Sequence, residues 1–460
     1  MNKLTLLICF FACAVIVALF LAPPGFLLDS ELTAAALIVA VLVLWGTGVI
    51  PEHLTALIFF LITMLFSMAP NSVIFSGFQT TAFWLIFSGL FIGLAITTTG
   101  LGNQVAVKVA SHLNRSYRTT VMMITFLGVA FAFIMPSAMG RVILLVPIAL
   151  SIASHLGFAK GSPGRIGIVL ALLLGSFIPA FSILTANVPN IILAGMAESE
   201  FGYTLLYGPY LLLHFPVLGL LKALMTGWIV GRLFDDQPDK TGLDALPEPS
   251  AHHPAEKRKL AILLLVMVLL WFTDFIHGIS PAWITLTGAI LLISPGIGLL
   301  TAKQCTEKIN YNPLFFVAGI LGFGAFIDHS GIVTRLADLT LQSLPFNPGD
   351  AFQNYMLTAL IATITGLFTT LPGVPAVITP LSEPIAQLSG FSLESVLMLQ
   401  VVGFSTLLLP YQAPPIIIGM QLAGENMGHA IKVCLILAAF TLVLLLPLNY
   451  LWWEWLGSMG

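Results

Sequence analysis

The chain has 460 residues, of which 58% are hydrophobic and 8% charged, with a mean hydropathy of +1.02 and a formal net charge of -3. A soluble domain carries roughly a quarter charged residues, so no water-soluble globule could hide this much apolar surface. The thinly spread charge also lacks the basic cluster interleaved with aromatics that nucleic-acid binding requires.

Apolar runs near the roughly 20 residues that cross a bilayer recur from Leu4 almost to the C-terminus. An all-α membrane protein is therefore expected. The first run, 4–22, reads as a retained span, because it is long for a signal peptide and is followed by Pro23 and Pro24 without a small-x-small cleavage site. It contains Cys9 and Cys13; with Cys305 and Cys434 standing alone, the cysteines give neither a disulfide framework nor metal-ligand spacing.

Further spans are expected near 32–49, 54–69, 82–99, 167–195, 207–230, 259–276, 282–299, 312–328, 394–423 and 430–452, about eleven in all. Two apolar stretches, 121–156 and 353–389, are too long for one span and are interrupted at Pro136 to Gly140 and at Leu371 to Pro375. Each reads as a re-entrant hairpin, since opened backbone at membrane depth is tolerated only where protein buries it or it lines a watery cavity. With the N-terminus inside, Lys108, Arg115, Arg118, Lys160, Arg165, Arg232, Lys240, Lys257 to Lys259, Lys303, Lys308 and Lys432 fall on the cytoplasmic face, and Arg335 is left outside. The C-terminus is then outside, and Lys222 is expected to snorkel to the cytoplasmic face.

Self-similarity divides the chain. Leu44-Trp45-Gly46-Thr47, followed by Ile50-Pro51 and Thr55-Ala56-Leu57, pairs with Leu270-Trp271-Phe272-Thr273-Asp274, followed by Ile279-Ser280-Pro281 and Thr285-Leu286. Ile86-Phe87-Ser88-Gly89 to Thr99-Gly100-Leu101 pairs in the same order with Phe316-Val317-Ala318-Gly319 to Ser330-Gly331-Ile332. The expected organisation is an N-terminal helix and loop (1–31), a first inverted repeat (32–234, hairpin 121–156, broken helix 167–195), a cytoplasmic linker (235–258) and a second repeat (259–460, hairpin 353–389, broken helix 394–423).

The first hairpin tip, counted back from Pro147, reads Ser137-Ala138-Met139, and the second, counted back from Pro380, reads Thr370-Leu371-Pro372. The broken helices carry Thr185-Ala186-Asn187-Val188-Pro189-Asn190 and Tyr411-Gln412-Ala413-Pro414-Pro415-Ile416. In this arrangement the chain resembles the divalent anion:sodium symporter family, the dicarboxylate, citrate and sulfate carriers, over nearly its whole length. In that family the tips carry Ser-Asn-Thr and the broken helices a Thr-Pro-Pro-Asn-like turn. Here the turns survive better than the tips, which have lost Asn and Thr.

The resemblance implies an elevator-like homodimer carrying a small anion, with Ser137, Asn187, Asn190, Thr370, Gln412 and Pro414 at the substrate site, to which Arg141 is added as a charge placed in the membrane just past the first tip. It likewise implies Ser137, Gly140, Ala186, Thr370 and Gly373 as the ion-coupling positions. The coupling ion is sodium or a proton, and the altered tips lead to an expectation of weak or absent sodium dependence. Physical reasoning points to the same place, because broken helices present positive dipole ends and unpaired N–H groups at mid-depth. Arg141, just past the first tip, could fork onto a carboxylate, sulfate or sulfonate, stand in for a sodium ion, or pair with Glu383. Glu383 is itself a candidate proton carrier, as are, less strongly, Asp274, Asp328 and His329 near span ends.

A cation/proton antiporter of the same superfamily is the alternative, against which the fixed charge of Arg141 argues. No nucleophile–base set, metal motif or sensory domain suggests an enzyme, and no resident cofactor is expected. The expected setting is a bacterial inner membrane, with the lipid bilayer and a small anion as partners.

Overall fold

The computed structural model describes residues 30–47, 49–101, 116–237, 254–296, 298–332 and 344–459. The expected span 4–22, Cys9, Cys13, Lys108, Arg115, Arg335 and most of the linker lie outside the described residues.

Among the described residues every regular element is helical. The first half holds α1 (Ser30–Thr47), α2 (Glu52–Leu65), α3 (Thr81–Thr99), α4 (Tyr117–Ile134), α5 (Ala138–His155), α6 (Pro163–Phe177), α7 (Val188–Phe201) and α8 (Tyr207–Leu233). The second repeats that order in α9 (Pro254–Phe272), α10 (Pro281–Ile293), α11 (Asn312–His329), α12 (Ala351–Phe368), α13 (Gly373–Ser389), α14 (Leu393–Phe404), α15 (Pro414–Ala423) and α16 (Met427–Leu456). The correspondence extends to a π-helical segment inside each closing helix, Phe215–Leu221 in α8 and Thr441–Leu445 in α16. By length and composition eight of the described helices could cross a membrane, or nine with the bent pair α13 and α14. Of the eleven expected spans, 4–22 lies outside the described residues, and Thr33–Trp45, α2, α10 and α15 are short apolar helices.

Each half builds the same hairpin. Tyr117 at the start of α4 donates to Gly164 O (3.2 Å) at the start of α6, while Gly128 lies against Leu172, Gly175 and Ser176 further along both. Helices α4 and α6 are therefore parallel, and α5 between them must run back. In the second half Asn354 reaches Ser389 O (2.8 Å) just before α14, and Thr363 reaches Gly403 O (3.3 Å) near its end. Helices α12 and α14 are thus also parallel, with α13 returning between them.

Packing across the halves exchanges equivalent partners: α2 lies on α11 and α10 on α3, while α7 lies on α13 and α15 on α5. Gly319 of α11 meets Ala56 of α2, where an added Cβ would stand 2.3 Å from the alanine Cβ. Helix α6 is apolar all round and buried from Ile166 to Phe177, the expected fate of a helix without a polar face. Large apolar side chains such as Phe368 (78% exposed) and Val443 (79%) instead form the outer surface, as a lipid solvent allows.

Two local expectations change. The second break falls at Thr369 to Pro372, earlier than Leu371 to Pro375, because Pro375 sits in the first turn of α13, where its missing N–H has no intrahelical acceptor to lose. Likewise the first break is Met135 to Ser137, and Met139 and Gly140 are already helical. Asp274, a candidate proton carrier near a span end, is fully buried and accepts the first N–H groups of α8, from Tyr207 and from Gly208 (3.1 Å).

The α4–α6 seam has no room for a side chain at Gly128, whose Cβ would stand 2.6 Å from Ser176 N. Gly128→Val should destabilise the protein by about 1–3 kcal/mol, seen as a lower unfolding midpoint in detergent; an unchanged midpoint would contradict the close parallel packing.

Candidate functional site

The four helix breaks open onto a single cavity of about 400 Å³, within the size range of small-molecule sites. One wall is made by the breaks: Pro136 to Met139, Asn187 to Pro189, Leu371 with Pro372, and Gln412 to Pro415. The facing wall comes from the start of α2 (Pro51 to His53), from α3 (Leu85 to Leu90) and from the start of α11 (Asn312 to Phe316). Gly89 of α3 lets the first tip approach, since a Cβ there would lie 3.2 Å from Pro136.

Local sequence explains why helices begin at this cavity. Ser137 caps α5 by accepting from Gly140 N (3.1 Å). Pro189 and Pro414 occupy first-turn positions of α7 and α15, where proline is pre-organised and its missing N–H costs nothing. Four N-terminal ends, of α5, α7, α13 and α15, therefore face the cavity and place the positive ends of their dipoles there.

The breaks are also bonded to one another. Gln412 Oε1 accepts from Leu408 N (3.0 Å) and Leu409 N (2.9 Å), and its Nε2 donates to Gly366 O (2.6 Å) beside the second tip. Leu371 N donates to Gln412 O (3.3 Å). Asn190 Nδ2 donates to Ala180 O (3.1 Å) and Ile183 O (2.8 Å), joining the two pieces of the first broken helix.

Arg141 is fully buried and does not line the cavity. Its guanidinium donates to Met135 O (2.5 Å) of the tip, Ala186 O (2.9 Å) of the break and Asn187 Oδ1 (3.1 Å), and no described carboxylate pairs with it. Pairing with Glu383 does not occur, because Glu383 is exposed in the stretch of α13 beyond its first turns and away from the cavity.

Of the expected substrate residues, Ser137, Asn187, Gln412 and Pro414 reach the cavity wall. Asn190 and Thr370 stand behind it. Of the expected coupling positions, Gly140, Ala186 and Gly373 support the wall through backbone bonds. Asp328 and His329 are exposed at the end of α11.

Lys222 does not snorkel. It is 1% exposed and donates to Ser405 O (2.7 Å). Sequence reasoning missed Glu52 and His53, which line the facing wall; a charged pair directly after the repeated Ile-Pro step was the available signal.

The model of the family described as "Sodium:sulfate symporter transmembrane region" matches residues 2–459. An L-tartrate/succinate antiporter of Escherichia coli (strain UTI89) is 24% identical over 358 residues, 74% of this chain and 72% of its own. The inner membrane protein YbhI of Escherichia coli (strain K12) is 22% identical over 84% of this chain and 83% of its own. The crystal structure of the Alcanivorax borkumensis YdaH transporter shares the fold, with a TM-score of 0.58 at 17% identity, covering 94% of this chain and 99% of that one. The chain is a multi-pass membrane protein that belongs to the sodium:sulfate symporter family of membrane transporters, the divalent anion:sodium symporters.

Proposed function

We propose that this protein carries a small di- or tricarboxylate, or a sulfate- or sulfonate-like anion, across the bacterial inner membrane by alternating access. The observation that carries the reading is the convergence of four helix N-terminal ends on one cavity, a field that favours an anion without any lysine or arginine in the wall. First-turn N–H groups such as those of Ala138, Met139 and Val188 have no intrahelical acceptor and supply donors. The tartrate/succinate antiporter among the relatives supports a dicarboxylate. The cation/proton antiporter alternative finds no such support.

The cavity lies between two groups of helices. Hairpins and broken helices form one wall and α2, α3 and α11 the other, so movement of the first group against the second would expose the site to alternate faces. An inverted repeat fits the exchanged packing. Ala82 and Leu321 meet at Gly195, whereas Leu85 to Leu90 and Pro313 to Phe316 share the cavity, so the equivalent helices α3 and α11 run in opposite senses. Each hairpin tip faces the break of the following helix, which supports re-entrant arms over full crossings. A homodimer, by resemblance, would anchor the stationary helices.

Sodium coupling at the first tip is disfavoured. The oxygens of Met135, Ala186 and Asn187 that would hold a cation there already accept from the Arg141 guanidinium, which keeps its charge throughout.

Proteoliposomes offered labelled succinate, tartrate, citrate and sulfate should accumulate or exchange at least one without a sodium gradient; an obligatory sodium gradient would sink the stand-in role of Arg141. Arg141→Met should cost about 2–4 kcal/mol by leaving three buried acceptors without donors, read as a lower unfolding midpoint, and adding Glu383→Gln should not restore it. Full recovery in the double variant would reinstate the ion pair. For the N-in orientation, a cysteine at Lys160 should be shielded from an impermeant external thiol reagent, and one at Ser199 should react; the reverse pattern would invert the topology.

A further inference from the structure

Helix α8 touches both broken helices. Tyr210 donates to Phe181 O (2.8 Å) in the first, and Gly219, within the π segment, lies so close to Ser182 that a Cβ would stand 2.6 Å from its Oγ. The residue after the π segment is Lys222, whose ammonium donates to Ser405 O (2.7 Å), with Ser405 Oγ at 3.5 Å. Ser405 is the residue where α14 ends and the second break opens; the other end of that break, Gln412 to Pro415, forms the cavity wall. A π segment leaves the helical ladder locally loosened and is frequent at functional sites.

Arg141 and Lys222 thus hold the two breaks differently. Arg141 spans tip and break with a group that stays charged, whereas Lys222 holds one carbonyl with a group that can give up its proton. No described acidic side chain pairs with Lys222. Among the described residues, no titratable side chain on the elements packed around it bonds to its ammonium. On α8, His214 rests on Tyr210 and Trp453, Tyr207 packs on Trp271, and Arg232 lies over Trp228. On α4, Tyr117 donates to Gly164 and Arg118 pairs with Asp235; on α6, Arg165 pairs with Glu425. On α16, His429 lies against Phe234, Lys432 is exposed and Cys434 is buried, and Glu394 stands in the opposite first turn of α14.

We propose that Lys222 is a proton-binding site of the transport cycle, its ammonium fastening the second break and its neutral amine releasing it, so that anion movement is coupled to protons. The step breaks one N–H bond of Nζ, leaves the electron pair on nitrogen and passes the proton to water reaching the opened break. Loss of charge weakens the bond to Ser405 O, since charge-assisted hydrogen bonds are roughly twice as strong as neutral ones, and removes the attraction of a cation for the C-terminal end of α14. The loosened loop carries Gln412, which is bonded to the second hairpin at Gly366, so the change reaches the cavity.

This inference rests on the anion-carrier reading, and its test separates the two. The full-length protein in liposomes is assayed for labelled succinate exchange across an acid-to-alkaline pH series and for uptake driven by an imposed proton gradient, with external pH recorded by an indicator dye. The wild type should show pH-dependent transport and a proton flux that accompanies succinate. Lys222→Arg, which keeps the charge but cannot release the proton, leaves the break fastened and should slow exchange, flatten the pH dependence of what remains and abolish the gradient-driven component; Lys222→Met, which leaves the break released, should likewise lose the pH dependence and the proton flux. Wild-type transport without pH dependence or proton flux overturns the proposal whatever the variants do, as does a Lys222→Arg protein with the wild-type profile. Failure of the wild type to carry succinate or any other anion of the panel overturns the carrier reading and this inference with it.

Discussion

Opened backbone inside a membrane must find protein partners, because lipid offers none, and the rest of this structure follows from how four helix breaks meet that demand. Each tip is bonded to the break of the helix that follows it: Met135 and Ala186 through Arg141, Leu371 and Gly366 through Gln412. The carbonyl that opens the second break is taken by Lys222. What is left without an intrahelical acceptor is a set of first-turn N–H groups facing the cavity. The polar surface available to a ligand is therefore the remainder of a structural requirement already satisfied elsewhere.

That remainder has a sign. N-terminal helix ends attract negative charge, and the cations nearest the breaks are buried behind the wall, where they tie down carbonyls without meeting the ligand directly. The facing wall contributes Glu52 and His53, a carboxylate and an imidazole set against an otherwise anion-favouring surface. A cavity with its attractive field on one wall and a carboxylate on the other distinguishes its two sides electrostatically. Separation of the walls would then change what a bound anion experiences.

The walls also belong to different packing groups. Contacts between them use small residues and few polar bonds: Gly89 against Pro136, and Glu198 accepting from Thr81 Oγ1 (2.5 Å) and Thr81 N (3.1 Å). Within the group of hairpins and broken helices the seams are tighter, as at Gly128 and Gly175, where backbones of α4 and α6 meet directly. Relative motion is accommodated more readily where side chains touch across a cavity than where backbones interlock.

Much of the architecture was legible in the sequence. The hydropathy of the apolar runs and the prolines at Pro136, Pro189, Pro372 and Pro414 determined a helical membrane protein with interruptions at four places. These features are local: chain length per span, helix breaking by proline and polar residues in apolar runs are properties of short segments. The tertiary structure alone decided which polar residues meet. Arg141 looked like a ligand, and Lys222 like a snorkelling surface residue, because charge in an apolar run announces a partner without naming it; the partners, Met135, Ala186 and Asn187 for one and Ser405 for the other, lie up to 183 residues away. Asp274 and Glu52 show the same limit, one closing a helix end in the other half and the other brought to a cavity it does not adjoin in sequence. Hydrogen bonding between distant segments depends on how helices pack, and packing is a property of the whole chain.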